Sequence, residues 1–361
     1  MKDELYMQRC LELASLGEGY AAPNPMVGSV IVFNDRIIGE GYHKKCGEAH
    51  AEVNAVNSVK EKEMLRQSTL YVNLEPCSHW GRTPPCADMI IEYKIPKVVI
   101  GMVDPFGRVC GEGIRKLRDA GINVTVGILE EKCKALNRKF ITYHSKKRPY
   151  ITLKWAQTID GYLDNNRDAS TPATWMTGQA CKILVHRMRS THQAIMTGTN
   201  TIIRDNPSLT VREWFGQNAV RIVIDRNLRL TDDYNIFSGE AETIIFTLSE
   251  NLNRTGKIFR NKQIIGLNRP DDICEIPEYL YTRGIQSLFV EGGAELFSSL
   301  ISAGLWDEAK IFISQSSVKE LNGTKNIQPY GIKAPDIPGR LISKEIIDGT
   351  MLVTSMNKSE L

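Results

Sequence analysis

His50-Ala51-Glu52 and the later run Pro76-Cys77-Ser78-His79-Trp80-Gly81-Arg82-Thr83-Pro84-Pro85-Cys86 restrict the folds open to this chain more than any other feature. One imidazole and two thiols supply three of the four tetrahedral positions that zinc prefers. A fourth position left to water separates a catalytic centre from a structural one. His50 and Glu52 are two residues apart, which on a regular helix turns them about 200° from one another. They converge on one site only where the chain is still starting its helix, and Gly47 and Glu48 just upstream suit that placement. Cys86 follows Pro84-Pro85 and precedes an apolar-periodic segment, so it too is expected to open a helix. Helix amino termini favour negative charge, which helps to hold both thiolates deprotonated.

A His-x-Glu at a helix start is by itself an ordinary solvated face, and a lone cysteine is a small buried hydrophobe. Together, in this order and with a proline before the first cysteine, they read as a metal site with His50, Cys77 and Cys86 as zinc ligands. Glu52 is not needed as a ligand and is free to move protons, the constellation of zinc-dependent deaminases of amino-pyrimidines and related bases. Zinc lowers the pKa of a bound water toward neutrality, and Glu52 would take the water proton and hand it to the departing amine. His79 is a competing ligand, but its loop position reads better as facing substrate; His43 reads as structural.

At 361 residues the chain is long for one core, so two domains are expected. A net charge of +3 is too small to argue for a nucleic-acid partner. The amino terminus has early acids and no apolar run, and no stretch is long enough to span a bilayer, so neither a signal peptide nor a membrane partner is expected. The eight cysteines are scattered and not grouped as a disulfide framework, which suits reduced thiols in the cytoplasm.

Apolar periodicity predicts a helix over 5–16, then a hairpin of strands 29–33 and 37–41 around Asn34-Asp35. Helix 51–64, strand 69–74, helix 87–93, strand 97–103, helix 113–120, strand 123–128 and helix 130–140 follow. Strands and helices in turn after a hairpin imply a mixed sheet covered on both faces. The charged run Ser145-Lys146-Lys147-Arg148-Pro149 reads as a solvated linker. Beyond it, strands are expected at 150–156, 194–196, 221–225, 243–247, 263–267, 287–291 and 309–314, with helices at 179–189, 277–283 and 294–303. The last 35 or so residues carry turns and a final apolar stretch expected to be an edge strand. Gly292-Gly293, between strand 287–291 and a helix, is a weak phosphate-cradle signal. No Gly-x-Gly-x-x-Gly supports an ordinary Rossmann domain.

The eight residues between Cys77 and Cys86, with Ala22-Pro23-Asn24-Pro25-Met26-Val27-Gly28 and Gly47-Glu48-Ala49-His50-Ala51-Glu52-Val53-Asn54-Ala55, resemble the deaminase domain of the bifunctional riboflavin-biosynthesis deaminase/reductase family. Thr197-Gly198-Thr199-Asn200-Thr201, Arg204 to Arg212, Lys154, Asp160-Gly161, Trp175, Arg189 and Glu291-Gly292-Gly293 are similar to its reductase half, in the same order. The resemblance implies a cytidine-deaminase-like three-layer α/β/α domain over 1–145 and a dihydrofolate-reductase-like α/β domain over 149–361. It implies zinc on His50, Cys77 and Cys86, with Glu52 as proton shuttle. Asn24 and His79 would meet the pyrimidine ring, and Arg82 would offer a planar fork to phosphate. Ala156, Trp175, Thr201, Asp205 and the segment from Gly293 would contact NADPH. Arg189, Leu209, Arg212 and Glu291 would contact the phosphoribosyl substrate, and Lys154 and Asp205 would position or protonate the sugar carbonyl.

The chain departs from the family at Phe106-Gly107, where Asn-Pro is common, and in a longer segment between Gly161 and Trp175, where Ala173 replaces a common serine. The implied protein is a cytoplasmic homo-oligomer that deaminates a diaminopyrimidinone phosphoribosyl compound and then reduces its ribose. The rival readings are a nucleoside or tRNA deaminase fused to an unrelated reductase-like domain, and a non-enzymatic zinc scaffold.

Overall fold

The computed structural model describes residues 2–80, 84–105, 110–165, 167, 171, 175–257, 262–269, 273–321 and 331–358. The chain divides into two compact units, Met1–Arg148 and Pro149–Leu361. The first runs α1 (Lys2–Ser15), β1 (Gly28–Phe33), β2 (Arg36–Tyr42), α2 (Ala51–Ser58), β3 (Thr69–Leu74), α3 (Cys86–Glu92), β4 (Lys97–Met102), α4 (Glu112–Asp119), β5 (Asn123–Val126), α5 (Glu130–Leu136) and α6 (Arg138–Lys146). Its sheet has the order β2-β1-β3-β4-β5, antiparallel from β2 to β3 and parallel beyond. The β1–β2 turn is the tight hairpin that Asn34-Asp35 predicts: both residues have positive φ, 48° and 59°.

Side chains alternate across the strands and meet helices on each face. Val30, Val32, Tyr71 and Val99 pack with Met7, Cys10 and Leu11 of α1. Ile31, Leu70, Val72, Val98 and Ile100 pack with Val56, Ile90 and Leu117 of α2, α3 and α4. The three-layer α/β/α expectation holds.

The second unit contains β6 (Tyr150–Gln157), β7 (Tyr162–Asn165), α7 (Gln179–Ser190), β8 (Ala194–Gly198), α8 (Thr199–Asp205), β9 (Val220–Ile224), β10 (Thr243–Leu248), β11 (Gln263–Leu267), α9 (Glu275–Thr282), β12 (Ser287–Glu291), α10 (Ala294–Ser302), β13 (Glu308–Ile313), α11 (Val318–Leu321), β14 (Gly331–Lys333), β15 (Gly339–Ile347) and β16 (Thr350–Asn357). Nine strands form one sheet in the order β11-β10-β9-β8-β12-β6-β13-β16-β15. Pairing is parallel up to β13 and antiparallel through the carboxyl-terminal hairpin. One face buries Leu153, Ile222, Val290 and Ile311 under Leu280 and Phe297 of α9 and α10. The other buries Ile195, Val223, Phe289 and Phe312 under Cys181, Val185 and Ile202 of α7 and α8.

Several elements differ from the sequence expectation, and α8, α11, β14 and β15 were not expected at all. The helix over 51–64 stops at Ser58, because the Lys62 ammonium donates to the carbonyls of Val56, Asn57 and Val59 and caps it. The helix over 130–140 is two helices that meet at Asn137, whose buried amide bonds to the backbone of Met26. Residues 162–165, expected as loop, form β7 against β14. The last apolar stretch, β16, lies inside the sheet between β13 and β15, and β15 is the edge. All eight cysteines are free. No helix of the described residues is long and apolar enough to cross a membrane.

Gly41 on β2 permits the close seating of α2: a Cβ there would lie 2.3 Å from Ala55 N and 2.6 Å from Ala51 O. Gly41→Ala is therefore expected to destabilise the first unit by about 1–3 kcal/mol in urea unfolding. Stability within a few tenths of a kcal/mol of wild type would show that the helix is not so tightly held.

Candidate functional site

The start of α2, the start of α3 and the end of β3 converge. His50 is the N-cap of α2, with extended backbone (φ −70°, ψ 163°), so its ring and the first-turn Glu52 face one point. Cys86 is the first residue of α3 and buried. Cys77 follows β3 by way of Glu75 and Pro76. His50 Nδ1 lies 3.3 Å from Cys86 Sγ and 3.5 Å from Cys77 Sγ, and the backbone N–H of Cys86 donates to Cys77 Sγ at 3.3 Å. The three ligand atoms all lie within 4.8 Å of one another, a cluster that can hold a metal ion.

The thiols differ in environment. Cys77 accepts hydrogen bonds first from the Cys86 thiol, then from His50 and the Cys86 N–H, and these outweigh its burial to bring its pKa down to about 4. Cys86, bonded to that thiolate and buried, is pushed well above the ordinary thiol range. Without a cation the pair therefore keeps one proton. His50 is raised, chiefly by its bond to Cys77. Glu52, only 3% exposed, is pushed up to about 7 by burial and then by the Cys77 charge. A carboxyl poised near neutrality both accepts and returns a proton readily.

Two buried asparagines hold the segment that carries Asn24. Asn73 accepts from the Gly28 N–H at 2.8 Å and donates to Met26 O at 3.0 Å, while Asn137 accepts from the Met26 N–H at 2.8 Å. The Asn24 amide meets His43 Nε2 at 3.0 Å, and the His43 ring stands edge-on to His50 with centroids 5.7 Å apart. Glu75, buried, accepts from the backbone N–H groups of Asp104, Gly111, Gly113 and Ile114 at 2.9–3.2 Å. Sequence reasoning passed over Asn73, Glu75 and Asn137; the available signal was a polar residue inside or beside an apolar run. His79 is exposed, and Arg82 and Phe106 lie outside the described residues.

In the second unit a cleft of about 590 Å³ opens at the carboxyl ends of β8, β9 and β12. Thr201, Asp205 and Gly293 all line it, with Arg204 of the quoted Arg204–Arg212 segment and with Arg226 and Arg229, which the sequence did not single out. Asp205 is ion-paired to Arg167 at 2.5 Å. Ala156 and Trp175 do not line the cleft; Trp175 is 74% exposed, with Lys182 Nζ 5.8 Å from its ring centroid.

One residue before Gly292, Glu291 receives the Arg189 fork at 2.6 and 3.1 Å, and Lys154 Nζ lies 3.5 Å away. Burial opposes ionisation of Glu291, but Arg189 and then Lys154 outweigh it and hold the pKa at about 2. Arg189 also donates to Thr210 O at 3.1 Å, so both edges of its guanidinium are engaged. Leu209 has a positive φ of 51° and its side chain is in the core. Arg212 is exposed; its N–H donates to His186 Nδ1 at 2.9 Å and its guanidinium to the Thr210 hydroxyl at 2.8 Å. Ala173 and most of the 166–174 segment lie outside the described residues.

The chain is 40% identical to Riboflavin biosynthesis protein RibD of Aquifex aeolicus (strain VF5) over 320 residues, 88% of each chain. To that of Actinobacillus pleuropneumoniae it is 39% identical over 362 residues, 98% of this chain and 95% of the other. The chain belongs to the RibD family. Residues 1–102 match the cytidine and deoxycytidylate deaminase zinc-binding region, and residues 149–339 match the RibD C-terminal domain. A crystal structure of a diaminohydroxyphosphoribosylaminopyrimidine deaminase/5-amino-6-(5-phosphoribosylamino)uracil reductase from Thermotoga maritima is 36% identical with a TM-score of 0.86, covering 99% of each chain.

In this RibD-family chain a cytidine-deaminase-like unit precedes a reductase-like α/β unit. The zinc-region match spans His50, Cys77 and Cys86, and the RibD C-terminal match spans the cleft and the Glu291 network. The Glu291 carboxyl is held at about 2, below its ordinary 4.5. Its ionised form therefore stabilises the fold above pH 4.5, and that contribution, at most on the order of 3 kcal/mol, is lost as pH falls toward 2. Between about pH 5 and about pH 3 wild type is expected to lose stability more steeply than Glu291→Gln. Parallel acid limbs in denaturant titrations would refute the ion network.

Proposed function

We propose that this RibD-family enzyme hydrolytically deaminates 2,5-diamino-6-(5-phosphoribosylamino)pyrimidin-4(3H)-one in its first unit, residues 1–145, and reduces the ribose of the product to a ribityl chain with NADPH in its second, residues 149–361. The observation that carries the reading is a buried acid, Glu52, beside an imidazole and two thiols that leave it free of any ligand duty.

The donor set fits zinc. A tetrahedral site with ordinary Zn–N and Zn–S bonds has N···S edges of about 3.5 Å, against the 3.3 and 3.5 Å between His50 Nδ1 and the two sulfurs. Bound there, zinc supplies Lewis-acid activation of the attacking water. Glu52 accepts the proton that water gives up and delivers it to the departing amine. Asn24 and His79 orient the pyrimidine ring, and Arg82 takes its phosphate.

In the second unit Thr201, Asp205 and Gly293 contact NADPH, with Ala156 and Trp175 beside it. NADPH supplies the hydride. Lys154 and Asp205 position or protonate the sugar carbonyl, and Arg189, Leu209, Arg212 and Glu291 form the substrate side. Because Glu291 already pairs Arg189 and lies near Lys154, it fixes both cations in place for a phosphoribosyl anion.

Glu52→Gln is expected to retain stoichiometric zinc by elemental analysis while ammonia release from the diaminopyrimidinone phosphate falls by about 10²–10⁴-fold. Undiminished ammonia release would rule out Glu52 as the shuttle. Stripping zinc with a chelator is expected to abolish ammonia release yet leave NADPH oxidation with the deaminated phosphoribosylaminouracil intact. Loss of both activities would mean that the two chemistries do not divide between the units.

A further inference from the structure

We infer that His186 is a further substrate-binding residue of the second unit, whose Nε2–H donates to the phosphate of the phosphoribosyl group beside the side chains of Arg189 and Arg212. The inference rests on reading Arg189, Arg212 and Glu291 as the substrate side of the reductase, and it adds a ligand to that set.

The backbone fixes which nitrogen of His186 carries its proton. The ring lies on α7 one turn before Arg189 and is only 2% exposed. The Arg212 N–H donates to Nδ1 at 2.9 Å, so Nδ1 holds a lone pair and, in the neutral ring, the proton sits on Nε2. That bond to Nδ1 is the one hydrogen bond of the His186 side chain among the described residues, and Nε2–H is left over.

The surrounding charges keep the ring neutral. Burial, then Arg189 and Arg212, bring its pKa down to about 4, against the smaller opposing effects of Glu291 and Glu213. Near neutral pH the imidazole is therefore a fixed donor and not a cation. Neither acid is free to take its proton. Glu213 accepts from Lys182 at 2.8 Å and from Gln179 at 3.1 Å, and Glu291 is held by Arg189 and Lys154.

Donors are scarce at this place. Arg189 spends Nε and Nη2 on Glu291 and an Nη1 proton on Thr210 O, so it offers an anion its charge more than its fork. Arg212 gives an Nη1 proton to the Thr210 hydroxyl. A phosphate brings three strong acceptor oxygens. A partnerless N–H held in a buried ring is costly, and a phosphate oxygen between two arginines removes that cost with a charge-assisted bond. One ring thus serves twice: Nδ1 holds the backbone of Arg212, and Nε2 meets the ligand.

The two roles can be separated by substitution, because an asparagine amide can replace the Nδ1 acceptor while a glutamine amide reaches the Nε2 position as a donor. The test is steady-state NADPH oxidation by the full-length zinc-loaded chain with the deaminated phosphoribosylaminouracil. His186→Asn should raise KM for that substrate by about tenfold or more with kcat within about twofold, and His186→Gln should return KM to within about threefold of wild type. KM for NADPH should stay within about twofold in both. Wild-type KM in His186→Asn, or an equal rise in the two variants, overturns the assignment; the second result would leave His186 only as a prop for the Arg212 backbone. The contact is also read without any substitution. In wild type carrying isotope-labelled histidine, the phosphoribosylaminouracil added without NADPH should shift one Nε2–H resonance, the one missing from His186→Asn. No shift overturns the assignment as well. Wild type that oxidises no NADPH with this substrate overturns instead the reductase reading on which the inference rests.

Discussion

The first unit depends on a concentration of acid groups where two helix starts and one strand end meet. Cys77, Cys86 and Glu52 are partly or fully buried, Cys86 bonding to both Cys77 and Glu52, with the His50 imidazole beside the two sulfurs. Without a cation the cluster keeps protons: one thiol stays protonated and the carboxyl rises toward neutrality. A dication would reverse that balance, because ligating thiols deprotonate and their charge is neutralised on the spot. The free energy of metal binding at such a site is then also folding free energy, shared by α2, α3 and the segment after β3.

The loops around the cluster are held by buried polar side chains in place of regular structure. Glu75 accepts four backbone N–H groups beyond β4, next to the Pro76-Cys77 step, and Asn73 and Asn137 clamp the backbone at Met26. Each meets backbone groups that would otherwise be buried without partners, which costs more than an ordinary hydrogen bond contributes. Gly113 completes the arrangement: a Cβ there would lie 2.1 Å from Pro76 O. The ligand geometry thus rests on residues that touch neither metal nor substrate.

This explains which parts of the protein were legible in the sequence. Strand alternation and helical periodicity report burial on a face, so the layers of both units could be read, as could the helix starts at His50 and Cys86. The break at Asn137 could not, because it depends on a side chain meeting the backbone of Met26, 111 residues away. Nor could the stop at Ser58, because periodicity does not show that Lys62 turns back onto the carbonyls of Val56 and Val59. β7 escaped because its partner, β14, is more than 160 residues away in sequence. The metal ligands were legible because their residue types are chemically restrictive.

The two units use buried charge in different ways. In the first, like charges are gathered and left for a cation to reconcile. In the second, Glu291 is neutralised within the chain by Arg189 and Lys154, and Asp164 and Asp205 by Arg167. Internal pairing of that kind costs desolvation and contributes little net stability, but it fixes the direction of each fork before any ligand arrives.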